Sequence, residues 1–394
     1  MSAAKRVYLD NAAGRPVEPL AIEAMLPYMK SSFGNPSSLH DFGQQAKRAV
    51  EEARSKIAAL INAEKKESIL FTSGATESNN LAIKGVANRN KDRGPRILTS
   101  SVEHMSVVNP CKFLTTKGFE TLFLPVDKYG FLNLESLQKE LTEKTVLVSI
   151  VYANPEIGTI EPIKEISKIV HSKNAYLHVD ATAACGHVPV DVKNEGIDLL
   201  TISSNDLYGP RGVGALYMKE GVRLEPLFHG GGQEKGLRSG TENVAGIVGF
   251  GKAAEIAKKE MQTEIARLTN LRDRFIDGLL KPIPYSFLNG HPTTRLPDNV
   301  SVRYSFIEGE SMLLSLDLRG VYASSGSACA AKTLEPSHVL LAIGLKHEEA
   351  HGSLMFTLSR NTTEEDVDYA ASLMPDIVKR LRDMSPLTPK ELKT

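Results

Sequence analysis

The chain has little cysteine, no surplus of charge of either sign and no long apolar run. Its three cysteines, Cys111, Cys185 and Cys329, are spread over 394 residues, which is too sparse for a disulfide framework or a local zinc site. Lys+Arg and Asp+Glu both number 47, so no basic field attracts nucleic acid or an anionic membrane. No apolar run reaches the length of a membrane span, and the opening MSAAKRVYLD lacks the apolar stretch of a signal peptide. We therefore expect a cytoplasmic protein with neither nucleic acid nor membrane as a partner.

Instead, the sequence alternates strand-like and helical segments. Short apolar runs bounded by Gly, Asn, Asp or Ser are separated by helix-length stretches, which predicts a mostly parallel sheet with helices on both faces. The seven runs cover residues 69–71, 96–99, 121–126, 146–152, 176–179, 199–202 and 213–218. A long helical pattern over residues 243–280 is typical of a connection between domains. We expect an α/β fold with a large domain over residues 16–260 and a smaller α/β domain from residues 1–15 and 261–394, which carries Cys329.

The first functional signal is the segment ILFTSGATESNN, in which a strand runs into a glycine turn and a helix. In open α/β sheets a ligand binds beyond the carboxyl ends of the strands, where a helix N-terminus offers N–H groups to an anion. The N–H groups at Ala75 and Thr76, with the Thr76 hydroxyl, could hold a phosphate. Taken alone, the same pattern is more often a simply capped helix.

Four other strand ends also carry polar residues, among them His104, Asn154, Asp180 and Ser203. A lone His104 is more often a satisfied loop histidine, and a lone Asp180 more often caps a helix. Because the carboxyl ends of parallel strands meet at one edge of the sheet, five polar ends together predict a site for a phosphorylated aromatic cofactor.

These segments resemble a known family over nearly the whole chain. The matching segments are YLDNAA, FGNPSSLH, FTSGATESNNLAI, SVEHMSV, EIGTIEP, HVDA, YGPRGVGALY, GGGQEKGLRSGTEN and SGSACAA. They are similar to the pyridoxal-phosphate-dependent cysteine desulfurases of iron–sulfur cluster assembly, which belong to the class V aminotransferase superfamily and have the type I fold of pyridoxal-phosphate enzymes. The resemblance implies a homodimer.

The resemblance assigns roles to residues that are present in this chain. It implies that Ala75, Thr76 and Ser203 hold the cofactor phosphate, together with Thr241 from the second subunit. It further implies that His104 acts in catalysis and stacks on the pyridine ring, and that Asp180 pairs with the ring nitrogen. Asn154 would lie near the ring hydroxyl and the substrate.

Four positions depart from the family pattern, and all four belong to desulfuration. Asp206 stands where the family has the lysine that binds the cofactor covalently, and a carboxylate cannot condense with an aldehyde. Asn205 replaces a histidine that contacts the cofactor, and Ala183 replaces a glutamine that donates to the ring hydroxyl. Met355 replaces the arginine that holds the substrate carboxylate, a loss worth about ten- to a hundredfold in substrate affinity. Any pyridoxal phosphate is therefore expected to bind without a covalent link.

Cys329, in the small-residue segment SSGSACAA, is the family's sulfur-accepting residue. Thiolates also bind iron–sulfur clusters, so Cys329 is predicted to be a catalytic persulfide carrier or a metal ligand to a [2Fe–2S] cluster shared with an IscU-like scaffold protein. Two other functions stay open. The protein could be an active L-cysteine desulfurase that uses non-covalently bound pyridoxal phosphate, or a purely structural platform for the scaffold.

Overall fold

A computed structural model describes residues 5–325 and 336–393. Its strands in this part of the chain are Val7–Tyr8 (β1), Ile69–Thr72 (β2), Arg96–Ser100 (β3), Glu120–Leu124 (β4), Thr145–Val151 (β5), Tyr176–Asp180 (β6), Leu199–Ser203 (β7), Gly214–Met218 (β8), Ser286–Leu288 (β9), Asn299–Tyr304 (β10), Val321–Tyr322 (β11) and Ser353–Thr357 (β12). Its α-helices are Pro19–Lys30 (α1), Asp41–Leu60 (α2), Ala75–Arg89 (α3), Met105–Thr115 (α4), Leu134–Glu140 (α5), Ile163–His171 (α6), Val244–Leu280 (α7), Gly309–Asp317 (α8), His338–Ala342 (α9), His347–His351 (α10) and Glu364–Met384 (α11).

The large sheet has seven strands in the order β2-β8-β7-β6-β5-β3-β4. Strand β8 runs antiparallel to both β2 and β7, while the other neighbouring pairs are parallel. The predicted α/β fold with a mostly parallel seven-stranded sheet is confirmed. As a result, β2, β3, β5, β6 and β7 all point their carboxyl ends to the same edge.

Both faces of this sheet are covered. In β2, Ile69 and Phe71 belong to one buried apolar cluster and Leu70 to another, as the two-residue period of a strand requires. Every residue of β5 is buried, which is typical of a central strand between two helical layers.

The long helix α7 joins this core to a second one. Its first half places Ile247 and Phe250 in the cluster around the large sheet. Its second half places Phe275 and Leu279 in a separate cluster with the sheet β12-β10-β9. The short strand β1 also reaches that second cluster, because it pairs in parallel with β11. The exact division at residues 15 and 260 stays a prediction.

The segment NPSSLHDFGQQ predicts a serine cap for the helix that follows it, but the observed start of α2 differs. The helix begins at Asp41, and its N-cap is His40, whose side chain accepts a hydrogen bond from the backbone N–H of Gly43. A Cβ atom at Gly43 would lie 2.4 Å from the carbonyl oxygen of Ser38. Ser38 therefore belongs to a tight turn that folds over the helix start, and only glycine allows this approach.

Over residues 5–325 and 336–393, no helix is both long enough and apolar enough to cross a bilayer.

Candidate functional site

A cavity of about 170 Å³ opens at the edge of the large sheet where the parallel strands end. The segments that follow β2, β3, β5, β6 and β7 each contribute to its wall, and residues beside β10 and β12 close it from the second core. The lining residues are Ala12, Arg15, Ala75, His104, Ser106, Val151, Ala153, Pro155, Asp180, Thr182, Ala183, Asp206, Leu296, Asp298, Asn299 and Thr357. Lysine is absent from this wall in the part of the chain that the structure describes. The polar strand ends recognised in the sequence thus do meet at one place.

The turn between β2 and α3 provides a helix N-terminus at the cavity. Gly74 is the N-cap, with φ of 148°, a conformation that glycine adopts readily. A Cβ atom on Gly214 of the neighbouring strand β8 would come within 2.7 Å of the Gly74 Cα, so this turn packs tightly on the sheet. Ala75 lies on the cavity wall, whereas Thr76 is exposed and its carbonyl accepts from Asn80.

The β6 wall, which we define as Asp180, Thr182 and Ala183, holds its carboxylate firmly. Asp180 Oδ1 accepts from the backbone N–H of Thr182 at 3.0 Å and from its hydroxyl at 2.6 Å. Asp180 Oδ2 accepts from Asn79 Nδ2 at 2.7 Å. Three donors therefore fix both oxygens of Asp180 beside the cavity.

The same network reaches the histidine of the site. Asn79 Nδ2 also donates to Ser106 Oγ at 2.8 Å, and Ser106 Oγ lies 2.7 Å from His104 Nδ1. His104 Nδ1 accepts the backbone N–H of Ser106 as well, so the ring caps α4. This arrangement leaves Nε2 as the ring nitrogen of His104 that can exchange a proton with a ligand.

The β7 wall, which we define as the lining residue Asp206 together with its neighbours Ser203 and Asn205, which do not line the cavity, is held less completely. Burial raises the pKa of Asp206 to about 6, although the Arg15 charge and the Ser203 hydroxyl act in the opposite direction. Asn205 Oδ1 is buried without a hydrogen-bond partner among the residues described. The backbone carbonyl of Asp206 accepts from His187 Nε2 at 3.0 Å, which fixes the main chain at this point but not the carboxylate.

A buried ion pair lies behind the β7 wall. Arg15 Nη2 donates to Asp298 Oδ2 at 2.7 Å, and both side chains are only 4% exposed. Arg15 Nη1 donates to the hydroxyl of Tyr208 at 3.0 Å. Burial alone would raise the pKa of Asp298, yet His187 and Arg15 hold it below its ordinary value. The cation of Arg15 is therefore paired with Asp298, not with Asp206.

His187, next to this pair, is neutral near pH 7. Burial and the Arg15 charge lower the pKa of His187 to about 4. Its Nε2 consequently carries the proton that it donates to the Asp206 carbonyl.

Some residues predicted for the site lie away from the cavity wall. Asn154 is buried, but its amide donates to the Val102 carbonyl and accepts two backbone N–H groups. Ser203 is buried at the end of β7, and Thr241 is exposed on the surface of the chain. Met355 is buried in β12 and does not line the cavity. Cys329 lies outside the described residues.

Both ends of the segment that contains Cys329 attach next to the cavity. On one side, Ser324 exchanges two backbone hydrogen bonds with Met355, two residues before the lining residue Thr357. On the other side, the Ser337 hydroxyl donates to Glu156 Oε2 at 2.7 Å, and Glu156 follows the lining residue Pro155. Ser324 and Ser337 are therefore both held by neighbours of cavity-lining residues.

The other two cysteines are buried in the core of the large sheet. Cys111 lies on α4 and Cys185 follows β6, and burial raises the pKa of each thiol to about 12. Neither forms a reactive thiolate at neutral pH.

Sequence reasoning missed three groups that shape the site. Asn79 was a recognisable signal, since it is a polar residue on the buried face of α3. Arg15 and Asp298 gave no local signal, because their pairing joins positions 283 residues apart.

The donor set fits the ring and phosphate of a pyridoxal-type cofactor but offers no covalent attachment. A fixed carboxylate suits a protonated ring nitrogen, an imidazole suits the ring face, and a helix N-terminus suits a phosphate. Asp206 has no amine with which to bond an aldehyde.

Comparisons with known proteins identify the family of the chain. The family model described as aminotransferase class V matches residues 7–370. The chain is 60% identical to "Cysteine desulfurase IscS 1" of Archaeoglobus fulgidus, over 96% of this chain and 99% of that protein. It is 54% identical to "Cysteine desulfurase IscS" of Methanosarcina thermophila, over 99% and 96% respectively. A solved structure titled "NIFS-LIKE PROTEIN" superposes with a TM-score of 0.90 at 37% identity, covering 96% of this chain and 100% of that one. The chain therefore belongs to the class V aminotransferase family and, within it, to the cysteine desulfurases of the IscS/NifS type.

Proposed function

We propose that this protein serves iron–sulfur cluster assembly through Cys329, while its ability to release sulfur from cysteine is impaired. Cys329 carries a persulfide sulfur or directly completes a [2Fe–2S] cluster held by an IscU-like scaffold protein. The observation that supports impairment is Asp206 on the cavity wall, at the position of the family's cofactor lysine. Among the described residues, no lysine lines that wall.

Pyridoxal phosphate, when bound here, supplies an electron sink for bonds to the substrate α-carbon. The residues of the chain would hold it without a covalent link. Asp180, fixed by Asn79 and Thr182, would keep the ring nitrogen protonated, and the N-terminus of α3 at Ala75 would bind the phosphate. His104 would stack on the ring.

The loss of the lysine also removes the group that moves protons at the substrate. His104 offers only Nε2, because Nδ1 is occupied by Ser106. A family member without the lysine, the ring-hydroxyl glutamine and the carboxylate-binding arginine binds its substrate weakly and turns it over slowly. The sulfur-accepting Cys329 is present. The missing groups therefore affect the release of sulfur from the substrate cysteine, and not its acceptance by Cys329.

The residues that flank the Cys329 segment are anchored next to the cavity, which supports a role for Cys329 both at the cavity and towards a scaffold protein. Ser324 and Ser337, which stand before and after Cys329 in the sequence, are both anchored next to the cavity wall. A thiol that is not buried has a pKa near 8.5, so about a few per cent is thiolate at neutral pH. Cys111 and Cys185, with their raised pKa values, cannot replace it.

The functional unit is proposed to be a cytoplasmic homodimer. Thr241 is exposed on the single chain, which suits a residue that reaches the phosphate of the second subunit. The large domain, residues 16–260, would hold the cofactor, and the small domain, residues 1–15 and 261–394, would present Cys329 to the scaffold.

An active desulfurase with freely bound pyridoxal phosphate is the second candidate. It is favoured by one observation: the pKa of Asp206, raised by burial to about 6, would let this carboxyl exchange protons near neutral pH. That candidate requires sustained sulfide release from L-cysteine, whereas the first requires none.

Cluster assembly on the scaffold tests the proposal. Purified full-length protein is mixed with an IscU-like scaffold, ferric iron and sulfide under anaerobic conditions, and cluster formation is followed by visible absorbance and by co-elution of both proteins. We expect Cys329→Ser to abolish the shared cluster and Cys185→Ala, which removes a buried thiol, to preserve it. Equal cluster formation by Cys329→Ser and the unchanged protein would refute Cys329 as a ligand of the shared cluster.

A further inference from the structure

The cavity carries more fixed negative than positive charge. Three aspartates, Asp180, Asp206 and Asp298, share its wall with one arginine, Arg15. Arg15 and Asp298 neutralise each other through their 2.7 Å contact. Asp180 is held by the neutral donors Asn79 and Thr182. Two carboxylates therefore remain for a ligand to balance.

The two carboxylates face different parts of the cofactor if it binds as the proposed function requires. Asp180 then pairs with the ring nitrogen. Asp206, at the end of the adjacent strand β7, then lies where the family's lysine meets the reactive substituent of the ring. In pyridoxal phosphate that substituent is an aldehyde, whose oxygen only accepts hydrogen bonds. In pyridoxamine phosphate it is an amine, which is protonated at neutral pH and donates them.

We propose that this cavity selects the amine form of the cofactor, pyridoxamine 5′-phosphate, over the aldehyde form, and that Asp206 is the residue that binds its ammonium group. The inference rests on the proposed function for the orientation of the ring, and it assigns to Asp206 a specificity that the family's lysine cannot have. Two amines would repel each other, whereas an amine and a carboxylate attract.

The surroundings of Asp206 support this assignment. The Arg15 cation is already paired at 2.7 Å with Asp298, so it leaves Asp206 available for a second cation. His187, which is neutral, bonds only to the backbone carbonyl of Asp206. Since burial raises the pKa of Asp206 only to about 6, the carboxyl is ionised at pH 8. A charged hydrogen bond of this kind corresponds to about ten- to a hundredfold in a dissociation constant.

Calorimetric titration of the full-length protein with each form, at pH 8 in a phosphate-free buffer, measures the selectivity. We expect the dissociation constant for pyridoxamine phosphate to be at least about tenfold lower than that for pyridoxal phosphate. Asp206→Asn keeps the size of the side chain and removes its charge, so the two constants should become nearly equal. Asp180→Asn is the matched control, because the ring nitrogen is common to both forms. It should weaken both and preserve their ratio.

Three results would overturn the inference. Tighter or equal binding of the aldehyde form by the unchanged protein contradicts the selectivity. A preference that persists in Asp206→Asn contradicts the assignment to Asp206. Binding of neither form refutes this inference together with the cofactor part of the proposed function. The scaffold experiment on Cys329 involves no added cofactor, so it shows separately whether the assembly role survives.

Discussion

The β6 wall and the β7 wall lie on adjacent strands of one sheet and each ends in an aspartate, yet they hold it differently. Asp180 on the β6 wall accepts three hydrogen bonds and is linked through Asn79 and Ser106 to His104. Asp206 on the β7 wall has a pKa raised by burial to about 6, and the nearby cation of Arg15 is paired elsewhere.

The two aspartates therefore differ in how completely the protein compensates the burial of their carboxylates. Three donors hold the Asp180 carboxylate in place. Asp206 is buried with the Ser203 hydroxyl as a donor but without a paired cation, so its ionised form costs folding free energy. The contrast fits the proposal that Asp180 contacts a bound cofactor and that Asp206 offers no covalent link to it.

Removing Asp298 should have the largest effect, because it breaks the buried ion pair with Arg15. Asp298→Ala leaves a buried guanidinium without its carboxylate, which costs about 3–5 kcal/mol of unfolding free energy. Urea unfolding at pH 7 measures the loss. Asp317→Ala, at an exposed position of α8, is the control and should change stability by less than about 0.5 kcal/mol. Equal stability of the two variants would show that the buried pair is not needed.

Removing the hydrogen bonds that Asn79 donates to Asp180 and Ser106 should have the next largest effect. Asn79→Ala removes the donor to Asp180 Oδ2 and to Ser106 Oγ, so a buried oxygen loses its partner at a cost of about 1–3 kcal/mol. Urea unfolding at pH 7 reports this loss. The neighbouring Asn80, whose side chain bonds only to the carbonyl of Thr76, provides the matched variant Asn80→Ala. If Asn80→Ala costs as much as Asn79→Ala, the network does not hold Asp180.

The smallest expected effect is a gain of stability on the β7 wall. Burial raises the pKa of Asp206 from 3.8 to about 6, so the folded chain binds its proton more tightly than the unfolded chain. Stability therefore falls as the pH rises from about 4 to about 6 and stays lower above that range. Asp206→Asn should be about 1–2 kcal/mol more stable than the unchanged protein at pH 8, a value reduced for the part of the carboxyl that faces the cavity.

The gain from Asp206→Asn should largely vanish near pH 4, where the carboxyl of the folded chain is protonated. Urea unfolding at pH 4, 6 and 8 follows the trend. A variant that is less stable than the unchanged protein at pH 8 would mean that Asp206 is already well paired.

The fold was predictable because its strands are short, fully buried and rich in branched apolar residues, as in β5 and β7. The meeting of polar strand ends at one cavity followed from parallel topology alone. Strand boundaries shifted by one or two residues, since hydrogen bonding between neighbours, not local pattern, decides where a strand ends.

The rest of the site depends on contacts between distant segments. The pairing of Arg15 with Asp298 and the contact of His187 with the Asp206 carbonyl leave no local pattern. The N-cap of α2 was wrong for a similar reason, because a turn that requires Gly43 puts His40 in the position expected for serine. Asn79 was visible as a polar residue in an apolar helix face, but only the fold shows that it joins Asp180 to Ser106.

The release of sulfide from L-cysteine in the presence of pyridoxal phosphate and excess dithiothreitol, which reduces a protein persulfide to thiol and sulfide, tests the impaired desulfuration most directly. Sulfide is counted per protein chain over time, with Asp206→Lys measured in parallel as the variant that restores an amine at the cavity. We predict no sustained release beyond a single equivalent from the unchanged protein, and covalent retention of the cofactor by the variant. Continuous release over many turnovers by the unchanged protein would contradict the account.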